Sequence, residues 1–179
     1  VLLAVNKPRG IVCTSSDKDR AENIVDFIKF PSRIYPVGRL DKESEGLLLM
    51  TNQGGLSDQI LRARNGHEKE YEVTVSRPVN DAFIRRMAGG VPILGTVTRP
   101  CYVEKTGERS FRITLTQGMN RQIRRMCEAL GFEVTALKRV RIMNIRLAGL
   151  KTGEYREVTK EEWEELSRLL NGNGRQPAR

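Results

Sequence analysis

The chain has 179 residues, which allows one good-sized domain or two small ones. Its 31 Lys and Arg against 22 Asp and Glu leave a formal net charge of +9, which favours an anionic partner. No apolar stretch approaches the ~20 residues of a membrane span, so nucleic acid is the favoured partner.

The residue inventory also limits the chemistry. A single histidine, His67, excludes any site that needs two imidazoles. The three cysteines, Cys13, Cys101 and Cys127, have neither metal-ligand nor redox spacing, which indicates a reducing cytoplasm and no disulfide framework. The sequence has no glycine motif for a phosphate loop or a dinucleotide. We therefore expect neither a metal nor a cofactor.

The apolar pattern alternates between period two, typical of a half-buried strand, and period 3.6, typical of a helix. In chain order it predicts a strand over 1–5, a helix over 24–28, a strand over 47–50, a helix over 56–61, a strand over 71–75, a helix over 81–87, a strand over 111–115, a helix over 123–130, a strand over 139–142 and a helix over 160–170. Asn80 is predicted to cap the helix over 81–87, and Thr159 with Glu162 is predicted to form a capping box at the start of the last helix. Because these elements lack regular β-α-β alternation, we expect an α+β fold on a largely antiparallel sheet.

The domain organisation follows from the same pattern. Residues 1–170 contain no linker long enough to separate two domains, so we expect one domain there. Residues 171–179 are polar and rich in Gly and Asn, which predicts a flexible tail. The chain starts directly in a predicted strand without an initiator Met, which we interpret as a fragment or processed chain that begins at a domain boundary.

The most informative segment is 38–52, with the sequence GRLDKESEGLLLMTN. Asp41 follows an arginine and precedes a polar turn, and the apolar run after it predicts a buried strand. A carboxylate on a loop beside a rigid element is well placed for chemistry. Aspartate also favours turns and caps, so a purely structural role is the alternative for this residue.

A second segment, 117–126, has the sequence QGMNRQIRRM. It follows a predicted strand, turns at Gly118 and enters a predicted helix. Concentrated cations of this kind are what phosphate binding requires. A solvated helix surface, the usual environment of arginine, is the alternative. The cations in and after this segment are Arg121, Arg124, Arg125, Lys138, Arg139 and Arg141.

Together with the segments 6–10 (NKPRG) and 69–71 (KEY), these motifs resemble the pseudouridine synthases, and among them the RsuA-type ribosomal RNA group. Their order and spacing match from about residue 5 to the segment 153–157. Segments 67–71 and 91–97 look most like a member that acts on 23S rRNA. The resemblance implies the pseudouridine synthase fold, a largely antiparallel mixed sheet flanked by helices and loops. It also implies an isomerisation without cofactor, in which the C1′–N1 bond of uridine breaks and a C1′–C5 bond forms.

The resemblance implies roles for individual residues. Asp41 matches the catalytic aspartate, which acts either as a nucleophile or as the base that removes a ribose proton. Arg124 matches the basic residue that pairs with this aspartate. Tyr71 matches an aromatic residue that stacks on the base, although an aromatic residue in an alternating strand is also typical of a core. Arg39 matches the residue that replaces the flipped base in the RNA stack, and Leu137 matches an apolar residue of the pocket.

The implied substrate is a uridine in a stem-loop of 23S rRNA, flipped out of its helix. A tRNA substrate is one alternative, and a non-catalytic RNA-binding or ribosome-assembly module is another. We expect no membrane and no obligate protein partner. Many members carry an N-terminal S4-type RNA-binding domain, and we expect that it precedes the part present here. The other cations expected to bind RNA are Lys7, Arg121, Arg125, Lys138 and Arg139, with fixing the chain near the site as the alternative for Lys7.

Overall fold

The computed structural model describes residues 1–13, 21–62 and 66–172. The strands in these residues are β1 Leu2–Lys7, β2 Tyr35–Val37, β3 Glu45–Thr51, β4 Lys69–Val75, β5 Pro92–Ile93, β6 Thr96–Val97, β7 Tyr102–Gly107, β8 Ser110–Leu115, β9 Val134–Ile142, β10 Ile145–Arg146 and β11 Tyr155–Glu157. The helices are α1 Ile24–Ile28, α2 Gly54–Arg62, α3 Asp81–Gly89, α4 Gln122–Ala129 and α5 Lys160–Leu170.

One nine-stranded sheet organises the described part of the chain. Its main path runs β11-β1-β3-β9-β4-β8-β7, with β2 added to β3 and β10 added to β9. The pair β3–β9 is parallel, whereas β3 is antiparallel to β1 and β9 is antiparallel to β4. Strands β5 and β6 form a separate antiparallel hairpin. The predicted α+β fold with a largely antiparallel mixed sheet is therefore confirmed.

Strand β3 is buried on both faces, which explains why it is a continuous apolar run. Leu47 and Leu49 pack in one core cluster with α2 and α5, whereas Leu48 and Met50 pack in another with α1. Successive side chains of a strand point to opposite faces, so each cluster receives alternate residues. A third cluster joins α3 and α4 to β4 and β8. The loop that precedes β3 is thus attached to a rigid part of the molecule.

The predicted helix starts are confirmed in detail. The Asn80 side chain accepts a hydrogen bond from the backbone N–H of Phe83 at 2.8 Å. Thr159 and Glu162 form the predicted capping box at the start of α5. The pattern did not predict β2, β5, β6, β7, β10 or β11, because five of these have two or three residues and β7 is a mostly exposed edge strand.

In the predicted tail, residues 173–179 lie outside the described residues. Among the residues that are described, no helix is both long and apolar enough to span a bilayer.

Two cysteines are held as thiols by their surroundings. Burial raises the pKa of Cys101 from 9.0 to about 11, and it raises that of Cys127 from 9.0 to about 12. Since the thiolate is the reactive form, we expect iodoacetamide at pH 8 to spare both in the native protein and to modify both in urea. The unfolded chain releases these protons near pH 9, so the free energy of unfolding should fall as the pH rises above 9. Ready alkylation of either thiol in the native protein would contradict this assignment.

Candidate active site

Asp41 lies in the loop between β2 and β3, and backbone contacts fix that loop. The backbone N–H of Ser44 donates to the carbonyl of Asp41 at 3.0 Å, and that of Gly10 donates to the carbonyl of Lys42 at 2.8 Å. The side chain of Leu40, directly before the aspartate, is buried in the cluster around α1. Asp41 therefore begins a turn, which agrees with the purely structural role considered for it. The turn, however, is anchored on both sides and leaves the carboxylate partly exposed.

Lys7 supports this loop from inside the protein. Its side chain is fully buried, and Nζ donates to the carbonyl of Pro8 at 2.9 Å and to that of Lys42 at 3.4 Å. Desolvation lowers the pKa of Lys7, while nearby groups, among them Cys13 and Asp41, raise it. An ammonium group with no exposed surface cannot reach a phosphate, so the expected RNA contact of Lys7 is corrected to a structural role.

A close approach of two backbones sets the position of the loop relative to β9. Gly46 pairs with Arg139 in the parallel β3–β9 ladder and has a φ of 108°. A Cβ at this position would lie only 2.2 Å from the carbonyl oxygen of Arg139. Only glycine fits this conformation and this spacing. The Arg139 side chain is 5% exposed, and its Nε donates to the carbonyl of Leu47 at 2.8 Å.

Two arginines from α4 and its N-cap contact the same oxygen of Asp41. Arg121 Nη1 lies 3.4 Å from Oδ2, and Arg124 Nε lies 3.7 Å from it. Arg124 is only 8% exposed, so the alternative interpretation, in which it is a solvated charge on the helix surface, is wrong. Within the described residues, Arg124 Nε has no hydrogen-bond partner, and the carboxylate is the group that offsets its burial. The two guanidinium groups orient the Asp41 carboxylate.

Ser44 completes this arrangement and was not predicted. Its side chain is buried, and its hydroxyl accepts a hydrogen bond from Arg124 Nη2 at 2.9 Å. Desolvation, followed by the charge of Arg121, lowers the pKa of Arg124, and Asp41 opposes this change. The loop that carries the carboxylate therefore also orients the guanidinium that faces it. A serine in a polar turn gives no sequence signal for this contact.

Arg121, at the start of α4, has a backbone conformation that is unusual for a residue other than glycine. It is the N-cap of α4 with a φ of 49°, in the left-handed region that favours glycine. Its guanidinium also contacts Glu43 at 3.5 Å. A hydrogen bond from its own backbone, followed by the charges of Arg121 and Arg124, lowers the pKa of Glu43 against the effect of desolvation. Strained residues of this kind cluster at functional sites.

These elements line an open cavity of about 120 Å³. Tyr71 pairs across the sheet with Arg139, and the buried Leu137 pairs with Val73, so β4 and β9 supply one wall. Tyr71 also packs against the core cluster of α3 and α4. It therefore contacts the core, as an aromatic strand residue typically does, and also lines the cavity. The predicted residues that the structure brings to this cavity are Arg39, Asp41, Tyr71, Arg121, Arg124, Leu137 and Arg139.

Two amide side chains that line the cavity, those of Gln117 and Gln122, were also not predicted. Gln122 is buried, its Oε1 accepts from the backbone N–H of Met119 at 3.1 Å, and its Nε2 donates to Gln117 Oε1 at 3.2 Å. Both lie in the segment that the sequence indicated only for its cations. They add uncharged hydrogen-bonding groups to a cavity otherwise lined by ions and apolar side chains.

Other predicted cations lie elsewhere. Lys138 lies between Leu137 and Arg139 on β9 and lines a different groove, together with Glu70 and Glu72. It therefore belongs to the opposite face of the sheet, which corrects its expected place beside the other cations. Arg125 is outside the cavity lining, and its Nε donates to the carbonyl of Asn120 at 3.0 Å.

Arg139 and Arg141, two further cations of the basic stretch, are held within the protein. Arg139 is buried, and Arg141 forms ion pairs with Glu68 at 3.2 Å and with Glu70 at 3.1 Å. Its charge is therefore neutralised within the protein. No group of His, Cys, Asp and Glu side chains in the described ranges is arranged to hold a metal ion.

Comparison with known proteins agrees with this geometry. The RNA pseudouridylate synthase family model matches residues 1–129. The dual-specificity RNA pseudouridine synthase RluF of Salmonella typhi is 57% identical over 97% of this chain and 60% of its own length. RluF of Escherichia coli strain K12 is 55% identical over 97% of this chain and 59% of its own length. The ribosomal large subunit pseudouridine synthase B of Bacillus subtilis is 35% identical over 96% of this chain and 73% of its own length.

A solved structure gives the same result. A pseudouridylate synthase crystal structure superposes with a TM-score of 0.83 at 33% identity, covering 92% of this chain and 73% of that one. The chain spans about 60% of the length of its RluF relatives. On these matches, the chain belongs to the RNA pseudouridylate synthase family and resembles its RsuA-type, RluF-like members.

Proposed function

We propose that residues 1–170 form a catalytic domain that isomerises a uridine in RNA to pseudouridine. The observation that carries this proposal is the Asp41 carboxylate, which is held by Arg121 and Arg124 beside Tyr71 in one small cavity. A carboxylate repels phosphate, so a surface that only binds RNA gains nothing from it. A carboxylate that acts on a ribose must be fixed in direction, and the two guanidinium groups hold it from the same side.

The cavity also suits the geometry of the reaction. A uridine inside an RNA helix does not expose its glycosidic bond, so the nucleotide must leave the stack. In this proposal Arg39, which is exposed at the cavity, occupies the vacated position. Tyr71 and Leu137 then contact the base while Asp41 faces the ribose. The C1′–N1 bond breaks, the base rotates, and the C1′–C5 bond forms; C5 loses a proton and N1 gains one, so no atoms are exchanged overall.

The role of Arg124 is tested by Arg124→Lys. A lysine retains the charge but has no planar fork to contact Ser44 and Asp41 together. We expect kcat for pseudouridine formation to fall ~10²-fold, with little change in KM, because the carboxylate is misplaced. Arg125→Lys is the matched control, since the Arg125 side chain bonds only to Asn120 in the described structure. An equal loss in both variants would contradict a specific positioning role for Arg124.

We propose 23S rRNA as the substrate, with tRNA as a second substrate class. The relatives at 55% and 57% identity bear the name dual-specificity RNA pseudouridine synthase, which supports action on more than one kind of RNA. The relative from Bacillus subtilis is named for the large ribosomal subunit. The net charge of +9 is suited to either polyanion, and both substrates imply a cytoplasmic location.

The first test is carbodiimide-dependent primer extension on unmodified 23S rRNA and on a tRNA pool after incubation with the protein. A new stop in 23S rRNA supports the reaction and the substrate together. A stop only in tRNA supports the reaction and overturns 23S rRNA as the substrate. Salt-dependent binding of both RNAs without any stop would favour the non-catalytic RNA-binding module instead.

A further inference from the structure

The β5–β6 hairpin presents two large apolar side chains to solvent. Leu94 is 53% exposed and Val97 is 59% exposed. The base of the hairpin is anchored, because Val91 is buried in the core and its backbone N–H donates to the Thr98 hydroxyl at 2.8 Å. Ile93 is buried in the same core. The hairpin is thus a firmly held element with an apolar outer surface.

Leu94 is poorly suited to its place in the turn. Ile93 pairs with Thr96, so Leu94 and Gly95 form a two-residue turn, and their φ angles are 47° and 75°. Turns with positive φ at both central positions favour Asn-Gly, because a leucine side chain is crowded in the left-handed region. Neither backbone preference nor burial accounts for Leu94, and such strain persists chiefly where function requires it.

Two contacts link the hairpin and the residues that follow it to elements that line the cavity containing Asp41. Strand β5 packs on α4, and the backbone N–H of Arg99 donates at 3.1 Å to Gln117 Oε1, which lines that cavity. The surrounding segment, residues 82–103, contains no Asp or Glu. It does contain three arginines, all exposed: Arg85, Arg86 and Arg99.

We infer that this hairpin is a second RNA-contacting element, in which Leu94 and Val97 pack against bases or riboses that flank the flipped uridine. Apolar side chains contact nucleic acid in this way, by packing against or between bases. The lack of acidic residues and the exposed Arg99 favour RNA as the partner of this surface. The inference rests on the proposed function, because it places the same RNA on the cavity and on the hairpin.

The test is Leu94→Asn in the Asp41→Asn background, so that binding is measured without turnover. The substitution supplies the Asn-Gly pair that this turn favours, so the melting temperature should stay the same or rise. Filter binding to 23S rRNA transcribed in vitro should show a Kd increase of about fivefold to tenfold. The salt dependence should be unchanged because no charge is lost, whereas Arg99→Ala should reduce the salt slope by about one unit.

Ala148→Asn is the matched control, because Ala148 is exposed and also has a positive φ of 49° but lies outside the cavity and the hairpin. A Kd for Leu94→Asn within experimental error of the control would overturn the inference and leave the two side chains to a partner other than RNA. Absence of RNA binding by the parent protein would overturn it as well. RNA binding by the wild-type protein without pseudouridine formation would reject the proposed function. The Kd comparison would still decide whether the hairpin contacts RNA.

Discussion

Replacing Asp41 by asparagine should abolish pseudouridine formation. The amide has nearly the same shape but no negative charge, so it neither attacks the ribose nor removes a proton from it. The ion pairs to Arg121 and Arg124 are lost as well. We expect kcat/KM to fall by at least ~10⁴-fold, as for the loss of a catalytic carboxylate in other enzymes. The measurement is the fraction of RNA modified in single-turnover assays with excess protein.

Glu43→Gln is the control for this experiment. It makes the same change two residues away, on a carboxylate that contacts Arg121 at 3.5 Å but does not line the cavity. An exposed ion pair contributes little, so we expect activity to fall by less than tenfold, or roughly 1 kcal/mol. If Asp41→Asn retained substantial activity while both variants remained folded, Asp41 would not be the catalytic group.

Gly46→Ala should cause the largest loss of stability among the substitutions proposed for this chain. The added Cβ would meet the carbonyl oxygen of Arg139 at 2.2 Å, and the φ of 108° is strained for alanine even without that contact. The backbone atoms of β9 cannot move without disturbing the parallel pair that connects the Asp41 loop to the cavity wall. We expect the free energy of unfolding to fall by about 3 kcal/mol or more, measured by urea denaturation.

Gly55→Ala tests the same change where it should be tolerated. Gly55 lies in the first turn of α2, and a Cβ there would meet no atom within 4 Å. Alanine is the better helix former, so we expect the free energy of unfolding to rise by up to ~1 kcal/mol. A similar loss for Gly46→Ala and Gly55→Ala would mean that the close approach of β3 and β9 does not explain the glycine at position 46.

Much of this fold follows from local patterns. Period-two alternation predicted β4 and β8, period 3.6 predicted α4, and capping residues marked the starts of α3 and α5. The short strands were not predicted, because two or three residues do not establish a period. Their pairing depends on neighbours that are distant in the sequence, as for β11 beside β1.

The sequence by itself determined that an acidic turn, an aromatic strand residue and a basic helix start belong together, because their motifs, in this order, resemble those of the pseudouridine synthases. Only the tertiary structure decided which cations reach the cavity. Arg124 and Lys138 are equally charged in the sequence, yet α4 directs one to Asp41, and the alternation of β9 directs the other to the opposite face. The contact of Ser44 with Arg124 joins residues 80 positions apart. Such contacts depend on strand pairing, which no local pattern encodes.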